Sequence, residues 1–568
     1  MREEDETAYE FHSDLLEIDT NLPVIDDKNL VVAFSENPKY KSEGDIKYVG
    51  EYKYQSVPAK DSNLLKHRLF GTFQPKTAPA PLNEAEVEDT SKLDLNNFGN
   101  PDILQTQLNK YKNLPTQVDG IEEDLECMVD QLTNHFIGVL SDCDLTPMDE
   151  CQTLSGIPEW ENSKPMDVRT TAGEPFARMG RSVGLKKNAF LKVENAPNGK
   201  KLYTFNEQPH TTYLVNAINK KEEMARKGIR TLSLWKNCLK DETRPFEKCK
   251  IGKTRLFTAA PFDVVYLGRK YFGKFKENWQ ENRFKLFHGV GINPVSSEWS
   301  VLAKKLLEKG SDFSDADYSS YDGYIRADFA RAAGKIVINT IMSVAGGERT
   351  LLETLWEEYV ETFHVSGRTI QLVGHGNPSG NPMTTVLNCI VNLLHHWWCY
   401  RKITNKESLC SFIEDVGFTS FGDDVVYSTV EDVTGYTFNA VAQWMAVLGQ
   451  QYTTAAKDGC TSFRKTIEDI SFLKRKFVVR DHMYWAPLET DSIEQQFNWT
   501  YIGENDISTI RQQLEEACLE AAIHGKAYYR KFKSSLDSAL RADAQLKTIG
   551  GCLTYSDALN VVTKRYQD

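Results

Sequence analysis

The sequence predicts an α+β protein built of several lobes, and three observations carry that prediction. An apolar, β-prone run breaks at Gly422-Asp423-Asp424 and resumes at once, which reads as strand, tight turn, strand. Two long stretches place apolar residues at helical spacing. One is 101–145, with Leu104, Leu108 and Tyr111 and then Leu125, Met128, Val129, Leu132 and Phe136. The other is 507–540, with Ile510, Leu514, Cys518 and Ala521. Finally, 568 residues suffice for two to four domain-sized cores or one large multi-lobed enzyme.

Composition narrows the class. With 40% hydrophobic and 26% charged residues the chain reads as a soluble globular protein. Its eleven cysteines show no CxxC pair or zinc-like spacing and no signal peptide opens it, so a reducing, cytosolic setting is expected. The most apolar run, 384–400, is interrupted by Asn388, Asn392, His395 and His396 and reads as a buried helix, not a membrane span. A net charge of −13 argues superficially against a nucleic-acid partner. The acidity is local, however. Residues 1–160 hold 32 acids and 13 Lys plus Arg, whereas 161–568 hold 48 acids and 54 bases, a balance of +6.

The elements follow in order. Residues 1–43 are acidic and aperiodic, either a flexible tail or a strap for a basic surface. Short β-prone pieces follow at 46–49 and 52–54, and Pro75, Pro79 and Pro81 then mark an extended connector. Beyond the first helical stretch, the small-residue loop Thr170-Thr171-Ala172-Gly173-Glu174-Pro175 lets another backbone approach. Arg178, Arg181, Lys186 and Lys187 behind it suit phosphates. Lys240, Arg244, Lys248, Lys250, Lys253 and Arg255 put six cations in sixteen residues, interleaved with Asp241, Glu242 and Glu247. They form either a solvated face or, if 248–255 is β-like, a stripe for a triphosphate or strand backbone.

Asp317 ends a candidate strand and Asp322 follows five residues on, while Asp312 and Asp315 read as solvated turn acids. A Gly/Pro loop ending at Ser379-Gly380 then enters a helix on which Thr384, Asn388 and Asn392 share one face. Their polar groups need partners, either within a structural network or on a ligand hydroxyl. Ser379 lacks the Gly-x-Ser-x-Gly elbow of a serine hydrolase. Asp423 and Asp424 repel each other when ionised, so the pair is either a solvated turn or half of a cation site.

Taken in this order, these pieces resemble the RNA-dependent RNA polymerases of picorna-like positive-strand RNA viruses, over roughly residues 45–568. Asp317 and Asp322 match motif A, Ser379, Gly380, Thr384 and Asn388 motif B, and Gly422-Asp423-Asp424 motif C. Lys457 falls where motif D carries its lysine, and Leu473, Lys474 and Arg475 lie in a match to motif E. Lys240, Arg244, Lys248 and Arg255 fit motif F, and Thr171, Ala172 and Gly173 lie in a match to motif G. The chain departs from the family at Phe421, where Tyr is commoner. It also carries 43 residues before Gly44, where picornaviral members begin with a glycine freed by proteolysis. Glu43-Gly44 could serve as such a junction, and longer front ends point to insect-virus relatives.

The resemblance implies a closed right hand. An acidic extension (1–43) precedes fingers at 44–271 and 357–377, a palm of RNA-recognition-motif topology at 272–356 and 378–480, and a mostly helical thumb at 481–568. It implies two Mg²⁺ ions, with Mn²⁺ as a substitute, held by Asp317 and Asp423 with Asp424 assisting. Lys240, Arg244, Lys248 and Arg255 would grip the triphosphate, and Lys457 would act as general acid toward pyrophosphate. Asp322 and Asn388, supported by Ser379, Gly380 and Thr384, would read the ribose 2′-hydroxyl. Template and primer would meet Thr171 to Gly173 and Leu473 to Arg475. The implied partners are RNA template and primer, ribonucleoside triphosphates, a genome-linked protein primer and viral replication proteins. The implied location is the host cytoplasm, in membrane-associated replication complexes. Two other readings compete: a reverse transcriptase, which typically carries an aromatic residue where Asp322 stands, and a catalytically inactive RNA-binding scaffold, which loss of a metal acid would favour.

Overall fold

Four antiparallel strands form the sheet on which the molecule's acids are mounted, in the order Val416–Phe421, Asp424–Thr429, Asp312–Tyr318, Tyr452–Thr454. The computed structural model describes residues 18–19, 46–51, 61–95, 99–112, 117–160, 163–179, 184–196, 199–310, 312–367, 369–431, 433, 435–455 and 465–567. Of the sequence-based expectations, Lys457, Arg181, the 52–54 piece, the Glu43-Gly44 junction and nearly all of 1–43 lie outside those residues. Of the acidic front end, Ile18–Asp19 is described, and it pairs antiparallel with Ile229–Arg230.

The hairpin forms where turn chemistry predicts it. Phe421 pairs with Asp424 across a two-residue turn, and Gly422 takes φ +66°, as the first central residue of a type II′ turn requires. The helix Thr384–Thr404 packs along the sheet and is buried nearly all round, which accounts for its mixed apolar and amide sequence. No helix among the described residues is long and apolar enough to cross a membrane.

A second sheet runs Leu256–Ala259, Leu234–Leu239, Thr362–Ser366, Thr369–Val373, Ile46–Glu51, with its second and third strands parallel. The hairpin 362–373 therefore joins the lobe built by 46–51 and 234–259. Two expected lobe boundaries, 271/272 and 356/357, fall inside the continuous helices Phe262–Glu281 and Arg349–Val360. Adjoining lobes thus share helices and one hydrophobic core.

A third body is helical. Ile507–Ile523, Lys526–Ala542 and Tyr555–Gln567 pack around Trp485, Phe497, Leu514, Phe532, Leu536 and Tyr566. Leu69 is buried in this core although it comes from the front of the chain. The same early segment pairs Leu64–Lys66 with Trp499–Tyr501, and Arg68 meets Asp543 at 2.6 Å. These contacts tie an early segment of the chain to the helical body at its end.

The stretch 248–255 is not β-like: Phe246–Lys250 is a short helix and the strand starts only at Leu256, because Pro245 opens a helical turn and Gly252 leaves it at φ +67°. Lys248 and Arg255 consequently do not lie along one strand face. Asp315 is not a solvated turn acid. It is buried on the Asp312–Tyr318 strand, where it accepts from Lys465 Nζ at 2.7 Å and from the Ser471 N–H at 2.9 Å. Asp312 also lies on that strand, opposite Thr429.

Candidate active site

Register brings the acids to one end of the four-stranded sheet. Ala316 pairs with Val425, so Asp317 lies just beyond the paired stretch, at the end that carries Asp424 and the turn. On its other side Asp317 pairs with Thr453. Asp423 stands exposed at the tip of the turn yet is walled by protein. That surrounding pushes its carboxyl up; Asp322 and Asp317 add repulsion, and Arg255 opposes the rise. Asp424 is pushed up to about 7, first by burial and then by the charges of Asp423, Asp317 and Asp315, while the Leu473 N–H works against it. Asp317, Asp322, Asp423, Asp424 and Arg255 therefore share one electrostatic field, although the chain spreads them over 170 residues.

Asp424 differs from Asp423 in having a fixed partner, since its Oδ2 accepts from the Leu473 N–H at 2.7 Å. Leu473 and Lys474 are the central residues of the Phe472–Arg475 turn. Both have positive φ, 54° and 59°, the backbone a type I′ turn demands of any side chain placed there. Lys474 is exposed, while Arg475 is held by Glu520 at 2.6 Å and donates to the Ala486 carbonyl, linking this hairpin to the first helix of the helical body.

The acidic turn is gripped from below by two residues that motif spacing did not single out as site residues. Asn392 Nδ2 donates to the Gly422 carbonyl at 2.8 Å, and its Oδ1 accepts from Tyr318 at 2.9 Å. Cys389 Sγ accepts from the Gly422 N–H at 3.2 Å. The signal for Asn392 was present in its i, i+4, i+8 relation to Thr384 and Asn388. Nothing marked Cys389, an ordinary core thiol by sequence.

On the other side of the acids, Asn388 Nδ2 donates to Asp322 Oδ1 at 2.9 Å. Ser379 Oγ accepts from the Thr258 N–H at 2.9 Å, and Thr384 Oγ1 caps the loop by donating to the Asn381 carbonyl at 2.7 Å. Gly380 is required by space: a Cβ there would lie 2.3 Å from the Thr258 carbonyl oxygen. Gly173 (φ +72°) is pressed against the same segment, its Cβ position 2.6 Å from the Ala260 carbonyl oxygen.

The two loops thus clasp the Leu256–Ala259 strand and its exit. Ala172 completes the clasp by accepting from the Phe262 N–H at 2.9 Å. Behind Thr171, Lys187 is buried and donates Nζ to Thr170 Oγ1 at 2.6 Å and to the Thr171 carbonyl at 2.8 Å. Arg178 is held by buried Glu174 at 2.9 Å. Lys187 and Arg178 therefore brace the loop, which corrects their reading as a phosphate surface. Lys186 is exposed.

Among the cations, Arg255 makes a two-pronged ion pair with Glu242, and Lys240 Nζ lies 3.3 Å from the same carboxylate. The Glu242 hydrogen bond raises the Arg255 guanidinium, and the charges of Asp423 and Asp322 add to this. Arg244 pairs with Ala78 in the Thr77–Pro79 and Thr243–Pro245 ladder; burial lowers its guanidinium, as does Arg255 nearby. Lys248 is exposed on the short helix.

Comparison with known proteins bears on this geometry. A family model described as viral RNA-dependent RNA polymerase matches residues 86–540. The replication polyprotein of Nora virus is 28% identical over 505 residues, 87% of this chain and 24% of that protein. The replicase polyprotein of cricket paralysis virus is 32% identical over 331 residues, 55% of this chain and 18% of that protein. That of Drosophila C virus is 29% identical over 431 residues, 72% of this chain and 24% of that protein. The chain therefore spans about a quarter or less of the length of these relatives. A solved structure, a Sicinivirus 3Dpol RNA-dependent RNA polymerase, matches in fold with a TM-score of 0.72 at 18% identity, covering 92% of this chain and 100% of its own.

Proposed function

Because this chain belongs to the viral RNA-dependent RNA polymerases, we propose that it extends an RNA 3′-hydroxyl or a genome-linked protein primer with ribonucleoside triphosphates by a two-metal mechanism. The observation that carries this reading is the register that brings Asp317 to the sheet end bearing Asp423 and Asp424, where the charges of Asp423 and Asp322 also act on Arg255. It concentrates negative charge where a divalent cation would relieve it, and the Arg255 guanidinium acted on by the same acids would pair with a phosphate.

Carboxylate oxygens are hard donors, which suits Mg²⁺, with Mn²⁺ as a substitute. Among the described residues no three His, Cys, Asp or Glu side chains are gathered tightly enough to enclose an ion. Mg²⁺ is commonly held by one or two carboxylates plus water and substrate phosphates. Asp317 and Asp423 would hold the ions, with Asp424 supporting from its bond to Leu473. Bound there, Mg²⁺ supplies charge neutralisation at the attacking and leaving oxygens.

The remaining roles belong to side chains of the chain itself. Arg255, Lys240 and Arg244 would bind the triphosphate, which would compete with Glu242 for the first two. Lys248, exposed on its short helix, would extend that grip. Lys457 would give its proton to departing pyrophosphate. Asp322 and Asn388 would bond the ribose 2′-hydroxyl, and a site built around such a bond rejects the sugar that lacks it. Thr171 to Gly173 and Leu473 to Arg475 would contact template and primer. Other viral replication proteins would assemble with the chain on membranes of the host cytoplasm.

The test is extension of a primed homopolymer RNA with Mg²⁺ and one ribonucleotide, beside an Asp423→Asn control. Extension should be lost in the variant with RNA binding nearly intact; equal extension in both proteins would overturn the metal assignment.

A further inference from the structure

Three buried asparagines form a chain of hydrogen bonds that ends at the sugar-reading pair. The Met383 N–H donates to Asn381 Oδ1 at 2.8 Å, Asn381 Nδ2 donates to Asn377 Oδ1 at 3.0 Å, and Asn377 Nδ2 donates to Asn388 Oδ1 at 2.7 Å. Asn388 Nδ2 then donates to Asp322 Oδ1 at 2.9 Å. Asn377, Asn381 and Asn388 are 0%, 5% and 8% exposed, so water cannot readily replace a lost partner.

An amide can turn over and exchange its donor and acceptor ends, but this chain is locked by groups that cannot. A backbone N–H only donates, so Asn381 must offer its oxygen to Met383 and its NH₂ to Asn377. Asn377 Nδ2 also meets the Thr384 carbonyl, which only accepts, at 3.3 Å. The Asn377 backbone is fixed too, its N–H donating to the Asp322 carbonyl at 2.8 Å. Each link leaves only one end of the next amide free, and the last free end is the NH₂ of Asn388.

We propose that Asn377 and Asn381 are positioning residues for sugar selection, fixing the Asn388 amide with its NH₂ toward Asp322 and the ribose site. This rests on the reading of Asp322 and Asn388 as the residues that bond the 2′-hydroxyl. Reversing the polarity at Asn377 turns the Asn388 oxygen toward the Asp322 carboxylate, where the two acceptors repel and the hydroxyl loses its donor.

The experiment measures kcat/KM for ATP and for 2′-deoxy-ATP on primed poly(U) with Mg²⁺, using wild type, Asn388→Ala and Asn377→Asp. Asn377→Asp keeps the side chain's size and replaces its donor with an acceptor. The ATP-to-deoxy-ATP ratio should fall about 10-fold or more in both variants, through loss on ATP alone. If Asn388→Ala lowers the ratio and Asn377→Asp does not, the positioning role is overturned while the ribose reading stands. If Asn388→Ala leaves the ratio unchanged, the ribose reading fails and the positioning role with it. A purely structural defect in Asn377→Asp would reduce both substrates alike and overturns the proposal. Should that variant not fold, Asn381→Asp reverses polarity one link back and is judged by the same ratio.

Discussion

Asn388 and Asp322, 66 residues apart in the chain, are joined by a 2.9 Å hydrogen bond from the amide nitrogen to the carboxylate. The bond links the helix behind the acidic turn to the short helix after the Asp312–Tyr318 strand. It therefore holds the proposed sugar site at a fixed offset from the proposed metal acids. Replacing Asn388 with alanine should lower preference for ribonucleotides over deoxynucleotides by about 10-fold or more. Competitive incorporation on one RNA template measures it, and equal preference in both proteins would count against the role.

Asn392 performs a mechanical task from the same helix, tying the Gly422 carbonyl to the Tyr318 hydroxyl. Asn392→Leu leaves both groups buried without their partner, at a cost of about 1–3 kcal/mol each in the worst case. Urea unfolding should show reduced stability, and extension should slow because the turn bearing Asp423 is loosened. A variant as stable and as active as wild type would refute the tie.

The Asp315–Lys465 pair predicts a stability effect distinct from catalysis. Asp315 accepts from Lys465 Nζ and from both the N–H and Oγ of Ser471, holding the strand that carries Asp317 to the segment before the 471–476 hairpin. Asp315→Ala leaves the lysine without its counter-charge and the Ser471 N–H without its acceptor; with Lys465 20% exposed and able to reach water, the loss should be about 1–3 kcal/mol. Denaturant midpoints of the two proteins test this; matching midpoints would show that the pair adds nothing.

Lys187 predicts a pH dependence. Burial lowers its ammonium to about 8 from an ordinary lysine value of 10.5, so the folded protein sheds this proton before the unfolded chain does. The penalty for burying the charge is full below about 8 and is relieved as pH rises toward 10.5. The stability lost on Lys187→Met should therefore be greater at pH 9.5 than at pH 7.5. Chemical unfolding at the two pH values measures the difference; a loss independent of pH would contradict the burial effect.

The acidic hairpin, the buried helix with its amide face, the paired helices near the C-terminus and the order of acids, amides and cations were all legible in the sequence. Turn chemistry and helical period act over a few residues, so Gly422 and the spacing of Thr384, Asn388 and Asn392 declare themselves locally. The charge run misled at 248–255 because the alternation there falls on a short helix, Phe246–Lys250, and the turn at Gly252, whereas the strand of this run is Thr243–Pro245.

What the sequence left undecided depends on partners brought together from afar. Asp315 reads as a surface acid until Lys465, 150 residues away, is folded against it. Asp424 has no partner legible in the sequence until the Leu473 N–H, 49 residues beyond it, donates to its carboxylate. Asn377 and Asn381 read as loop residues until their amides line up in one direction. The sequence by itself determined which local elements form and which chemistries they carry. The tertiary structure alone decided which polar groups are buried and with whom, because the cost of an unpaired buried group depends on neighbours that no local window contains.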